Sequence, residues 1–106
     1  MIKLVSLLNL KPGVDPEEFE RYYRTVHIPM ASKLPGQRRY VISKIRPSKR
    51  RQVPFYRMAE NLFDDMDAVQ NMLASPEAAA AANDEPFNAM VQDFVQFFCE
   101  EEEVPL

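Results

Sequence analysis

Residues 2–10 are apolar at both alternating sets of positions, which predicts a strand with two buried faces. The even positions include Ile2, Leu4, Leu8 and Leu10, and the odd positions include Val5 and Leu7. Such a strand is typical of the centre of a sheet. Lys11-Pro12-Gly13 follows it and predicts a turn.

The next segment has helical periodicity. Asp15 is a suitable N-cap, Pro16 suits the first helical position, and an apolar stripe then recurs at helical spacing. The stripe consists of Phe19, Tyr22, Tyr23, Val26 and Met30. Pro29 lacks a backbone donor, so we expect a kink or a break near residues 27–29. Leu34-Pro35-Gly36 ends the segment.

The second half alternates again between the two periodicities. Residues 38–46 and 54–62 predict the two strands of a hairpin, joined by a basic connection over 47–52. Phe63-Asp64-Asp65 opens a second helix, and Ser75-Pro76 begins a third over 76–82. Asn83–Pro86 is expected to interrupt this helix, and residues 93–103 predict the last strand.

The predicted order is β-α-β-β-α-α-β, the ferredoxin-like α+β pattern, in one domain over residues 1–106. Right-handed crossovers place the helices on one face of a four-stranded antiparallel sheet with strand order 4-1-3-2. Apolar residues on the other face need a cover, and the chain has no further segment to supply it. A second copy, packed sheet to sheet as a homodimer, is the simplest cover.

Charge is divided along the chain. Residues 33–57 hold nine basic residues and no acid, whereas residues 58–106 hold twelve acids and no base. Nucleic-acid binding by the basic hairpin is one interpretation, but the acidic half would repel phosphate, so we expect no nucleic-acid partner. The favoured interpretation is electrostatic complementarity within the molecule or between two copies.

Other compositional features exclude several classes. The chain has two glycines and no Gly-rich phosphate loop, and one cysteine, Cys99. No segment has the plan of a membrane span or a signal peptide. We therefore expect a cytoplasmic protein with no membrane partner, no metal site and no cofactor.

The first half of the chain carries an ordered set of motifs, comprising Lys11-Pro12-Gly13, Glu18-Phe19, Tyr22-Tyr23, His27-Ile28-Pro29, Leu34-Pro35-Gly36 and Arg39-Tyr40. This set resembles the EthD family of the dimeric α/β-barrel superfamily. The resemblance implies a dimeric barrel and a ligand cavity, between sheet and helices or inside the barrel, lined by His27 and Tyr40. Members of this family are similar to cofactor-independent isomerases, decarboxylases and cyclases, and many have no known activity.

His27 and Tyr40 are the candidate catalytic residues. An imidazole is the natural proton shuttle at neutral pH, and a phenol can donate to a developing oxyanion. The alternatives are a histidine that binds a backbone carbonyl freed at the kink, and a tyrosine that packs in the core.

Four further residues are candidates for substrate binding. Tyr23, Tyr56 and Phe94 supply aromatic surface, and Arg39 suits a carboxylate. Core packing and surface ion pairs are the alternatives.

His27 and Tyr40 predict proton-transfer chemistry. The family resemblance implies a reaction of the isomerase, lyase or cyclase type on a small apolar oxygenated ligand, such as a lactone or an aromatic polyketide. A non-catalytic ligand-binding or accessory dimer and a cofactor-free oxidoreductase are the alternatives.

Overall fold

The computed structural model describes residues 1–106. Its four strands are β1 (Ile2–Leu10), β2 (Arg39–Lys44), β3 (Arg57–Phe63) and β4 (Val91–Glu100). They form one sheet in the order β2-β3-β1-β4, and every neighbouring pair is antiparallel. The doubly apolar β1 is therefore a central strand, as its pattern predicts.

Six helical segments connect the strands. The first crossover contains α1 (Pro16–Tyr22), a π-helical turn (Tyr23–His27) and α2 (Ile28–Ala31). The second contains α3 (Met66–Leu73), α4 (Pro76–Ala82) and α5 (Glu85–Met90). The α+β fold with a four-stranded antiparallel sheet is ferredoxin-like.

The predicted element order omitted α5, which is a correction. Asn83 does end α4, but Pro86 lies in the first turn of a new helix, where its missing N–H has no partner to lose. The last strand consequently begins at Val91 rather than at residue 93. The hairpin strands also differ from their predicted bounds. β2 covers 39–44 rather than 38–46, and β3 covers 57–63 rather than 54–62.

Side chains cap α1 and α4 as the sequence indicates. Asp15 accepts from the Glu17 amide at the start of α1, and Ser75 accepts from the Ala78 amide at the start of α4. Each of these caps satisfies a backbone donor that has no partner inside its helix.

Pro29 produces a wide turn, not a break. The Ile28 amide donates to the carbonyl of Tyr23, five residues earlier, which defines the π turn. Pro29 cannot donate to Thr25 and its ring crowds that carbonyl, so the α-helical pattern cannot continue unchanged through this turn. The π turn contains one residue more than an α turn, and α1 and α2 on either side of it both pack on the sheet.

The helices pack on one face of the sheet, around two apolar clusters. The first cluster comprises Leu8, Phe19, Tyr23, Phe87 and Val91, and the second comprises Leu4, Phe63, Val69 and Met72. All of these side chains are buried. None of the helices has the length and apolar composition of a membrane span.

The opposite face of the sheet carries no helix. Cross-strand register places one apolar row there, comprising Val5, Leu7, Val41, Met58, Leu62, Val95 and Phe97. Lys3 lies among them and pairs with Glu60 at 2.8 Å and with Glu101 at 3.3 Å. We call this surface the free sheet face.

Candidate functional site

A cavity of about 510 Å³ lies between the sheet and the helices. Its wall is mostly apolar and includes Leu4, Leu8, Ala31, Met72, Phe87 and Val91. The polar groups on the wall include those of His27, Tyr40 and Asn61. An apolar cavity with a small number of polar groups is the usual form of a small-molecule site.

His27 lies at the end of the π turn, and its ring is held by one hydrogen bond and by aromatic stacking. Its Nδ1 atom is 2.9 Å from Oδ2 of Asp84, and its ring stacks on Phe87 with 3.7 Å between centroids. The Tyr23 ring is also stacked with the His27 ring, with 5.9 Å between their centroids. His27 therefore binds a carboxylate, not the backbone carbonyl of the alternative interpretation.

Asp84 is the N-cap of α5, but its carboxylate makes no capping hydrogen bond. One oxygen meets His27, and the other accepts from the Tyr22 hydroxyl at 2.5 Å. The residue is buried, with 5% of its surface exposed. The hydrogen bond to Asp84 raises the pKa of Tyr22 to about 12, since it favours the protonated phenol.

This arrangement selects one tautomer of His27. An ionised carboxylate only accepts hydrogen bonds, so the proton of the neutral ring lies on Nδ1. Nε2 makes no hydrogen bond within the protein. A neutral His27 consequently presents an unprotonated Nε2, which can accept a proton.

Tyr40 lies on β2 and reaches the same cavity from the sheet side. Burial, together with the nearby Tyr23 hydroxyl, raises the pKa of Tyr40. Burial also raises the pKa of Tyr23, whose ring carries the Arg57 guanidinium at 5.5 Å. Both phenols are thus neutral hydrogen-bond donors over the ordinary pH range.

The structure places four of the six sequence-predicted site residues on this cavity, namely His27, Tyr40, Tyr23 and Phe94. Arg39 lies on the free sheet face, because its register partner is Leu62. Tyr56 packs edge-on against Phe19 and does not line the cavity. The structure therefore separates Arg39 and Tyr56 from the other four.

Phe94 reaches the cavity through an irregularity in β4. Pairing with β1 is interrupted between Leu7 and Asn9, and Asp93 adopts a left-handed conformation with φ of 54°. Such a bulge redirects side chains at the edge of a sheet. Asp93 and Phe94 both line the cavity at this point.

Sequence reasoning missed Asp84 and Asn61. Asp84 followed by a proline two residues later resembles the Asp15-Pro16 and Ser75-Pro76 helix starts, and this signal could have located α5. Asn61 had no comparable signal, because its polarity is hidden within a strand pattern. The structure contains no group of three or more His, Cys, Asp or Glu side chains that could hold a metal ion.

Comparison with solved structures finds the same fold. The chain is similar to an EthD family protein of Bacillus halodurans, with 28% identity, a TM-score of 0.81, and coverage of 96% of this chain and 99% of that one. It also resembles a dimeric ferredoxin-like protein of unknown function from Bacteroides fragilis, with 16% identity, a TM-score of 0.69, and coverage of 94% and 95%.

A third similar structure is SnoaB, a cofactor-independent oxygenase from Streptomyces nogalater. Its identity is 16%, its TM-score 0.68, and the coverage 97% and 94%. Among curated proteins, none matches this sequence significantly. The sequence model of the EthD domain matches residues 11–90, which include His27, Tyr40 and Asp84. The chain therefore belongs to the EthD family.

Proposed function

We propose that this protein is a cofactor-independent enzyme that transfers protons on a small, largely apolar, oxygenated molecule bound in the cavity. The observation that carries the proposal is the buried Asp84–His27 pair at the wall of an apolar cavity, with the second ring nitrogen unbonded. A ligand-binding protein needs apolar surface, but it has no need of an oriented base.

His27 acts first in this scheme. Its Nε2 removes a proton from a carbon that lies between a carbonyl and a C=C bond, and the electron pair of the broken C–H bond moves onto the carbonyl oxygen as a dienolate. Asp84 holds the ring and faces the positive charge that forms on it. Return of the proton to the far carbon of the dienolate moves the double bond, which completes an isomerisation and leaves the protein unchanged.

Tyr40 donates a hydrogen bond to the substrate oxygen that becomes negative. Its hydroxyl is held neutral by burial and can donate a hydrogen bond without losing its own proton. In an apolar cavity such a bond is stronger than in water, because few other dipoles compete. Tyr40 therefore stabilises the enolate.

A cofactor-free oxygenation is the second candidate, and the similar fold of the cofactor-independent oxygenase SnoaB favours it. The first step is the same, because His27 makes a substrate carbanion. Molecular oxygen then takes the electron pair of the carbanion as a C–O bond forms, and the peroxide takes the proton back from His27 to give a hydroperoxide. Oxygen consumption with a bound substrate separates this candidate from isomerisation.

The proposal is tested with 2-tetralone, a bicyclic apolar ketone with acidic C–H groups. We expect the protein to accelerate exchange of the C1 hydrogens for deuterium in D2O, measured by NMR. His27→Gln should abolish the acceleration, and Tyr40→Phe should reduce it about 100-fold. Arg39→Gln, on the free sheet face, is the matched control and should leave exchange unchanged.

Binding is measured on the same samples from chemical-shift changes around the cavity. If 2-tetralone binds there and exchanges no faster than with His27→Gln, the enzyme proposal is wrong and a ligand-binding role replaces it. If it does not bind, the cavity does not accept bicyclic ketones, and the proposed substrate class is wrong.

We also propose that two copies associate through the free sheet face. No helix covers the apolar residues of this face, and although Val5 is buried, Val95 and Phe97 are 42% and 41% exposed. The dimeric protein of Bacteroides fragilis has a similar fold. A patch of this kind is typical of an interface.

A further inference from the structure

Asn61 is a buried polar residue on an otherwise largely apolar cavity wall. It lies in β3 on the helix-covered face, directly opposite Tyr40 of β2 and Leu4 of β1. Only 5% of its surface is exposed, and it lines the cavity. Burial of an amide without hydrogen bonds costs free energy, so a buried amide usually has hydrogen-bond partners.

Gln37 supplies one of these bonds and fixes the orientation of the amide. The Nδ2 atom of Asn61 donates to Oε1 of Gln37 at 2.9 Å, and Nε2 of Gln37 donates to the carbonyl of Ala31 at 2.9 Å. Gln37 follows the turn at Gly36, whose φ of 78° suits glycine. The Pro35-Gly36 turn thus places Gln37 against Asn61.

The remaining hydrogen-bonding capacity of Asn61 has no partner in the protein. Its Oδ1 atom accepts no hydrogen bond, and the second hydrogen of Nδ2 is unused. Both groups belong to a side chain on the cavity wall. A purely packing position would be filled by Leu or Val, because the neighbouring Leu4 and Phe63 form an apolar cluster.

We propose that Asn61 binds an oxygen substituent of the ligand and that Gln37 is its positioning residue. This inference rests on the proposed function, because it takes the cavity to be the substrate site. It narrows the substrate class to apolar molecules with a hydroxyl or carbonyl oxygen that reaches Asn61 on the cavity wall. Asn61 can donate to either kind of oxygen and accept from a hydroxyl.

The test compares the binding of 2-naphthol and naphthalene by fluorescence titration. The wild type should prefer 2-naphthol, and Asn61→Leu should reduce that preference about ten-fold, because the isosteric side chain removes only the hydrogen bonds. Gln37→Ala should reduce it in part. Gln37→Glu retains an acceptor for Nδ2 and should restore the preference.

Circular dichroism and urea unfolding check that each variant is folded. An unchanged preference in folded Asn61→Leu would overturn the inference, and so would equal effects of Gln37→Ala and Gln37→Glu. Naphthol binding requires no proton transfer. If the protein does not accelerate 2-tetralone exchange but Asn61→Leu still reduces the preference for 2-naphthol, the proposed enzyme activity is wrong and the binding role of Asn61 is supported.

Discussion

The Nδ1 atom of His27 lies 2.9 Å from Oδ2 of Asp84, although 57 residues separate them in the sequence. The two side chains come from different crossovers and meet because α5 packs against the π turn through Phe87. Every chemical role proposed for His27 depends on this contact, which fixes the ring and assigns its proton.

The first prediction concerns the tautomer of His27. At a pH where the ring is neutral, its ¹⁵N chemical shifts should show the proton on Nδ1, because Asp84 only accepts. Asp84→Ala should return the ring to the Nε2–H form that is usual in water. The exposed neighbour Glu85 provides the control, and Glu85→Ala should leave the shifts unchanged. An Nε2–H form in the wild type would contradict the geometry.

The second prediction concerns the tyrosines, which number four in a chain without tryptophan. The hydrogen bond to Asp84 raises the pKa of Tyr22, and burial is the main cause for Tyr23, Tyr40 and Tyr56. Absorbance at 295 nm should therefore show little tyrosinate at pH 10 in the native protein. In denaturant all four phenols should titrate near the ordinary tyrosine pKa of about 10.

The same shifts set the stability at alkaline pH. Each folded-state pKa lies above the unfolded one, so this stabilisation is complete below pH 10 and is lost as the pH rises through the folded values. The urea midpoint should fall above pH 10. Tyr22→Phe should remove the absorbance step near pH 12. A native titration centred at pH 10 would contradict the prediction.

The third prediction concerns the ion pair between Glu20 and Arg57. Both guanidinium nitrogens that face Glu20 donate to its carboxylate, and the Arg57 side chain is only 5% exposed. Glu20→Gln should lower the free energy of unfolding at pH 7 by about 2 kcal/mol, because it leaves the buried charge unpaired. Exposed Glu18→Gln should change it by less than about 0.5 kcal/mol.

Acid should remove this difference. Desolvation opposes the charged form of Glu20, but the hydrogen bond from Arg57 prevails and lowers the pKa of Glu20 below 4.5. Its stabilisation is therefore present above that value and is lost as the pH falls through the lower, folded-state pKa. Urea unfolding at pH 3 should bring the wild type and Glu20→Gln closer together. A constant difference would show that the variant acts by another route.

The fourth prediction separates the two faces of β4. Phe97 is on the free sheet face and is 41% exposed, whereas the adjacent Phe98 is on the opposite face and is 43% exposed. Phe97→Asp should give a monomer in sedimentation velocity, because the carboxylate would be buried between two sheets. Phe98→Asp should leave a dimer. Dissociation by Phe98→Asp alone would place the interface on the other side of the sheet.

Local signals predicted much of this molecule. The doubly apolar β1 is a central strand, and the proline-marked helix starts at Asp15 and Ser75 are present, because each depends on a few neighbouring residues. His27 and Tyr40 line one cavity, where the family resemblance placed them.

The rest depends on tertiary contacts. Asp84 was hidden because Pro86 was interpreted as a helix interruption, and nothing local reveals that its carboxylate turns away from its own helix toward His27. Arg39 and Tyr40 are adjacent in sequence, yet the strand sends them to opposite faces, so a candidate set chosen by residue type cannot tell them apart.

The π turn at Tyr23–His27 has a consequence for the history of the chain. A π turn holds one residue more than an α turn, so it absorbs an insertion without rotating the helical segments before and after it. Chain length can therefore vary by one residue here while Phe19 and Ala31 keep their places on the sheet. An alignment with a relative that has an α turn here should place a one-residue gap between residues 23 and 27, so that the helical segments on both sides stay in register.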